Sequence, residues 1–278
     1  MIMYEYREHY VAFLDILGFK EHLKKNSCET MYSIFDVLRN KTRKQLNLNG
    51  VQIEAYEHIK YTILSDSIIV YIDASIDDAF ATLVDVCASL QKALANREEP
   101  ILMRGGIAKG NLFYENDIIY GEGLVKAYLL ESNLAKYPRI IFSGETLAAG
   151  RKNTIYTFTE LDGLSRIYKT DDDYLHYVAY LDVCFSDTND SVQYYDRLLN
   201  LCKSYLNKEI DHPLREKYLW LQRKIEAHIK VYSNVRERFN KREEEERKRE
   251  MEAYNARFSI YPKRFTATIK QTDPNDNQ

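Results

Sequence analysis

Residues 10–16 form a short apolar run broken only by Asp15, with Gly18 just beyond it. This pattern predicts a buried strand that carries an acidic residue to its C-terminal end, with a helix after it. Over 29–46, Met31, Ile34, Phe35, Leu38 and Leu46 recur at helical intervals up to the turn-like Asn47-Leu48-Asn49-Gly50. Two β-rich runs, 61–64 and 68–72, flank Ser65-Asp66-Ser67 and predict a hairpin with Asp66 at its tip. Over 77–95, Phe80, Leu83, Val84, Cys87, Leu90 and Leu94 share one helical face. Residues 101–121 read as a second hairpin containing Arg104-Gly105-Gly106, 123–135 as a helix and 139–143 as a strand. The order β-α-β-β-α-β-β-α-β implies an α+β fold: a split βαβ, ferredoxin-like core with two helices on one face of a mainly antiparallel sheet.

Farther on, strands are expected at 154–159 and 175–181, around Asp171-Asp172-Asp173, which reads as a solvated turn. Residues 191–256 are almost continuously helical in pattern, with a break at His212-Pro213. The mixed charges of 236–252 fit a solvated helix, and the tail after Ser259 reads as loosely ordered. The expected organisation is a domain over 1–185, a helical extension over 186–258 and a tail over 259–278.

Composition narrows the partners. With 45% hydrophobic residues and 23 tyrosines among 278, the chain can bury a real core. A formal net charge of −3 gives no general drive toward nucleic acid or anionic membrane, so any phosphate site must be local. Cys28, Cys87, Cys184 and Cys202 lack metal-ligand spacing and read as buried thiols. No apolar run approaches the ~20 residues of a membrane span, and the N-terminus lacks the order of a signal peptide, so the expected location is the cytoplasm.

Asp15 and Asp66 are then the candidate chemistry: two carboxylates, far apart in sequence, each at the end of a strand. Strand-end aspartates also serve as helix caps, and Arg104 reads equally as a phosphate ligand or as half of an ion pair at the sheet's edge. The segments Phe13-Leu14-Asp15-Ile16-Leu17-Gly18-Phe19, Leu64-Ser65-Asp66-Ser67, Arg104-Gly105-Gly106-Ile107-Ala108-Lys109-Gly110 and Tyr120-Gly121, followed by a helix with Glu131-Ser132, together resemble the catalytic domain of class III adenylate and guanylate cyclases. The resemblance spans about residues 10–145, in the same order. Within that family the chain looks closest to bacterial pyrimidine cyclases of Pycsar antiphage defence and their uncharacterised relatives, as in Lys217-Tyr218-Leu219-Trp220-Leu221.

The resemblance implies two Mn2+ or Mg2+ ions held by Asp15, the Ile16 carbonyl and Asp66. It implies a nucleoside triphosphate bound at Gly18, Phe19, Lys20 and Arg104, a homodimer, and a separate effector protein for the cyclic nucleotide. The chain departs from the purine cyclases at Val125 and Leu129, where an Asn and an Arg are expected, and at Thr62 and Ile118 among the base-selecting positions. Tyr61, Thr62, Ile118 and Tyr120 are candidates for a pyrimidine pocket and equally for ordinary sheet packing. Lys126, Lys136 and Arg139 are candidates to replace the missing Arg. A nucleotide-binding sensor without turnover is the alternative reading; oligonucleotide synthesis lacks a basic track for a growing strand.

Overall fold

The computed structural model describes residues 4–41, 45–48, 51–54, 58–152, 167–182 and 188–259. Its central strand is β1 (Arg7–Ile16), in which Tyr10, Val11, Ala12, Leu14 and Ile16 are all buried. A strand covered on both faces needs a near-continuous apolar run instead of alternation, as 10–16 supplies. β1 pairs antiparallel with β5 (Ser67–Asp73) and with β6 (Met103–Glu115), and β5 pairs with β4 (Lys60–Leu64). The order β4-β5-β1-β6 is that of a split βαβ core, with α1 (Phe19–Lys25), α2 (Cys28–Lys41) and α3 (Ala79–Ala95) in its connections. The sheet continues from β6 through parallel β8 (Ile140–Phe142) to β10 (His176–Val178) and β9 (Tyr168–Thr170), while β7 (Ile118–Tyr120) pairs with β6. The fold is α+β.

Successive residues of a strand face opposite ways, so β1 separates the two layers. Tyr10 meets Phe80 of α3, ring centroids 5.4 Å apart, and Phe80 meets Phe142 at 5.3 Å. On the opposite face Val11 clusters with Ala108, Leu112 and Ala127, the last from α4 (Glu122–Leu134). A Cβ on Gly106 would lie 2.4 Å from the Ala127 carbonyl oxygen and 2.5 Å from Leu130 Cβ. Only glycine lets α4 approach β6 this closely.

Three expectations are corrected. The helix expected over 29–46 ends at Lys41, and Leu46 lies in β2 (Gln45–Leu48), paired with β3 (Val51–Glu54). Gln-Leu-Asn-Leu and Val-Gln-Ile-Glu alternate with period two, and that local pattern prevails over the helical spacing of Leu46. Residues 49 and 50 of the expected turn lie outside the described residues. Cys28, the first residue of α2, is exposed, whereas Cys87 and Cys202 are buried and Cys184 lies outside the described residues. Asp171 is no solvated turn residue: it is buried, and its carboxylate accepts hydrogen bonds from Trp220 Nε1 at 2.7 Å, Lys224 Nζ at 2.5 Å and Arg139.

The chain divides into two compact units, 1–228 and 229–278. The first takes in α5 (Gly144–Lys152), α6 (Thr188–Leu206) and the start of α7 (His212–Ser259) together with the sheet. Tyr194, Leu198 and Cys202 make one buried stripe on α6; Tyr218, Leu221, Ile225 and His228 make another on α7. Tyr205 and Tyr218 stack between the two helices at 4.2 Å. The second unit carries i,i+4 pairs such as Lys248–Glu244. The strand expected over 154–159 and the tail after Ser259 lie outside the described residues. Among the described residues no helix is long and apolar enough to cross a membrane.

Candidate functional site

The register of the sheet assembles the site. On β1, Asp15 stands opposite Ser67 of β5 on one side and Arg104 of β6 on the other. Directly opposed residues in adjacent antiparallel strands lie close enough for their side chains to bond, and Arg104 Nε donates to Asp15 Oδ2 at 3.1 Å. The two-residue tip Ser65-Asp66 joins β4 to β5, with Ser65 at φ 58°, the positive value such a tight turn requires. This turn places the Asp66 backbone beside the end of β1, where Ile16 N–H donates to the Asp66 carbonyl at 3.2 Å. The two aspartates therefore sit at the same end of neighbouring strands, both half-buried.

α4 brings a third carboxylate. Glu131 is buried, and its Oε1 lies 2.7 Å from Arg104 Nη2, a close ion contact outside hydrogen-bond alignment. Arg104 Nη1 also donates to the Ala135 carbonyl at 3.3 Å, just past the end of α4. A single guanidinium thus lies between Asp15 and Glu131.

The electrostatics follow from crowding. Burial pushes the Asp15 carboxyl above the usual carboxylate range; the hydrogen bond and charge of Arg104 oppose this, the Asp66 charge adds to it, and Lys217 opposes it. Burial raises Glu131 as well, with Arg104 again opposing and Asp15 and Asp66 adding to the rise. Lys217, on the first turns of α7, is held below the usual lysine value by burial and by Arg104, while Asp211 and Asp15 act against the fall. Three carboxylates and two cations therefore share one charge field.

Gly18 follows β1 with φ 72°, and nothing lies within 4 Å of where its Cβ would be. It opens α1, whose Phe19 packs on Phe35 at 6.1 Å while Lys20 is exposed. Among the described residues no group of three His, Cys, Asp or Glu side chains stands ready to hold a cation. The donors present are oxygens alone, which suits Mg2+ or Mn2+, ions commonly held by one or two carboxylates with substrate phosphates completing the shell.

The other sequence candidates lie elsewhere. Arg139 is fully buried and committed to Asp171 and Asp173, with its guanidinium beside the rings of Tyr137, Tyr177 and Trp220. It joins the site only through its carbonyl, which accepts from Gly105 N–H at 3.2 Å. Lys126 is tied to Glu122 at 2.8 Å, one turn before it on α4, and Lys136 is exposed just after Ala135. Val125 and Leu129 project from α4 with 55% and 47% of their surface exposed. Tyr61 and Thr62 are half-buried on β4, and Ile118 is largely exposed on β7. The Tyr120 ring packs against Tyr6 and Phe113 at 5.8 and 5.1 Å. Glu131 and Lys217 were not site candidates; Glu131-Ser132 and the segment beginning at Lys217 were visible only as parts of a resemblance.

No family profile and no curated protein sequence matches the chain. Among solved structures, the guanylyl cyclase Cya2 aligns over 64% of this chain and 93% of its own, with 16% identity and a TM-score of 0.44. An adenylate/guanylate cyclase/hydrolase from Silicibacter pomeroyi aligns over 63% and 98%, with 16% identity and a TM-score of 0.39. A bacterial light-regulated adenylyl cyclase aligns over 81% of this chain and 59% of its own, with 11% identity and a TM-score of 0.39. Scores of this size describe a partial likeness and carry no functional weight.

Proposed function

We propose that the site is a metal-dependent nucleotidyl cyclase centre, converting a nucleoside triphosphate to a 3',5'-cyclic nucleotide and pyrophosphate. The observation that carries the reading is the convergence of Asp15 and Asp66 at one end of adjacent strands, beside Arg104. Asp15, Asp66 and the Ile16 carbonyl would hold the Mg2+ or Mn2+, which supplies charge neutralisation and lowers the pKa of the attacking hydroxyl. In the reaction the ribose 3'-oxygen forms a bond to the α-phosphorus, the bond from that phosphorus to the bridging oxygen breaks, and pyrophosphate leaves. The hydroxyl proton passes to solvent. Arg104, mobilised from Asp15 and Glu131, would turn its guanidinium to phosphate oxygens, while Gly18, Phe19 and Lys20 would border the triphosphate.

A pyrimidine base, UTP or CTP, suits a chain with Thr62 and Ile118 at base-selecting positions. The exposed α4 face with Val125, Tyr128 and Leu129 suits a homodimer, and the product would act through a separate effector in antiphage signalling. The same Val125 and Leu129, which have no side-chain hydrogen-bond donor, favour a second reading: a sensor that binds nucleotide without turnover.

Incubation of the purified protein with each of the four nucleoside triphosphates and Mn2+, followed by chromatography, separates these. The expected result is a cyclic product from at least one nucleotide, reduced about a hundred- to a thousandfold in Asp66→Ala, the scale on which loss of one electrostatic element acts. Metal-dependent binding without product establishes the sensor instead.

A further inference from the structure

α7 reaches the site through an unbroken set of contacts. Arg104 donates to the Ala135 carbonyl, and two residues later Tyr137 stacks on Trp220 of α7, ring centroids 5.4 Å apart and planes within 3°. Trp220 and Lys224 both bond Asp171, in the turn between β9 and β10, and Arg139 bonds it too, so this helix face is tied to that turn and through it to the segment that follows α4. Lys217 precedes Trp220 by three residues and Lys224 by seven, spacings that put all three on that face. Lys217 consequently lies one turn nearer the start of α7, within the field of Asp15 and Arg104.

The two lysines on this face differ in employment. Lys224 is spent on Asp171 at 2.5 Å. Among the described residues Lys217 has neither a hydrogen bond nor an ion pair to its ammonium, although it is half-buried and its surroundings include Asp15, Asp211 and Arg104. Asp211 is engaged in capping, its Oδ1 accepting Leu214 N–H at 3.0 Å. Lys217 Nζ is not among the buried unpartnered atoms, so this uncommitted ammonium on a half-buried side chain stays open to a ligand arriving beside the carboxylates. With Asp15 and Asp66 turned to divalent cations, the anion left to neutralise is the polyphosphate.

We propose that Lys217 is a substrate-positioning residue: its ammonium takes a non-bridging phosphate oxygen of the bound triphosphate, so that the C-terminal helix completes the nucleotide site of its own chain. The inference rests on the cyclase reading of the site and adds to it a residue from outside the core. A flexible lysine suits a phosphate as a point charge, with no demand for bidentate geometry.

The test is calorimetry of the full chain with Mn2+ and α,β-methylene analogues of the four nucleoside triphosphates, beside Mn2+ alone. Lys217→Met is expected to weaken the tightest analogue about tenfold or more, the scale of one hydrogen bond to a charged group. It should weaken the analogues of different bases by the same factor, because a phosphate contact reads no base. Mn2+ alone should bind Lys217→Met as tightly as wild type or tighter, because a like charge has been removed from beside the carboxylates. Lys217→Arg should recover most of the analogue affinity. Unchanged analogue binding in Lys217→Met, with binding lost in Asp66→Ala, overturns the inference and leaves the cyclase reading standing. Loss of Mn2+ and analogue affinity together means a distorted site and also overturns the inference. A wild-type protein that binds no analogue overturns both.

Discussion

Among the described residues, the clusters around Arg139 and Arg104 each bring an arginine against carboxylates and receive a residue of α7 from outside the sheet, yet their side chains respond oppositely. Around Arg139, two carboxylates, Asp171 and Asp173, meet two cations, Arg139 and Lys224, and Trp220 Nε1 adds a neutral donor. Burial raises Asp171, but the bonds from Lys224, Trp220 and the Asp172 N–H and the charge of Arg139 outweigh it, and its carboxyl is held below the usual range. Around Arg104, three carboxylates share two cations, and the carboxyls of Asp15 and Glu131 are held above that range. A saturated cluster fastens two segments together. An unsaturated one carries surplus negative charge, which the proposed cation would neutralise.

The contrast sets a scale of effects. Asp171→Ala, which leaves Arg139 buried beside only the partly exposed Asp173, is expected to cost about 3–5 kcal/mol, read as a fall in thermal or urea midpoint. Trp220→Phe removes one donor to that carboxylate and some ring area and is expected to cost roughly 1–3 kcal/mol in the same assay. Asp15→Asn should cost less than about 1 kcal/mol, since Arg104 keeps Glu131 and the buried charge is relieved, yet it should abolish Mn2+ binding. A large stability loss in Asp15→Asn, or a small one in Asp171→Ala, would break the comparison.

Acidification sharpens it with opposite signs. Asp171 has a lowered pKa, so its contribution to stability is present above the unfolded value of about 3.9 and is lost as pH falls through the lower folded value. Asp15 and Glu131 have raised values, so they favour the native state more as pH falls through them. As a ligand of Mn2+, Asp15 would have to be ionised, so Mn2+ affinity should decline on acidification before the ordinary carboxylate range is reached, while the fold persists. Titrating Mn2+ affinity and urea midpoint over the same pH series checks both.

Much of the core was legible in the sequence because its signals are local. The apolar run 10–16, the Ser65-Asp66 turn and the stripe from Phe80 to Leu94 each dictate their own element, and the sheet register then brings Asp15, Asp66 and Arg104 together. Glu131 was hidden because a carboxylate on a helix gains meaning only from what the opposing strand offers. Lys217 lies 113 residues beyond Arg104 in the chain, and no spacing rule connects them. Asp171 misled for the converse reason: three aspartates in a row look like a solvated loop until Trp220 and Lys224 cover one of them.

The contact at Gly106 makes backbone thickness a setting of the chemistry. A methyl group there would collide with the Ala127 carbonyl, and α4 would have to ride outward as a unit. Glu131 travels with that helix while Arg104 stays with the strand, so the missing side chain works as a shim: its zero height gauges how firmly the arginine is clamped before any substrate arrives.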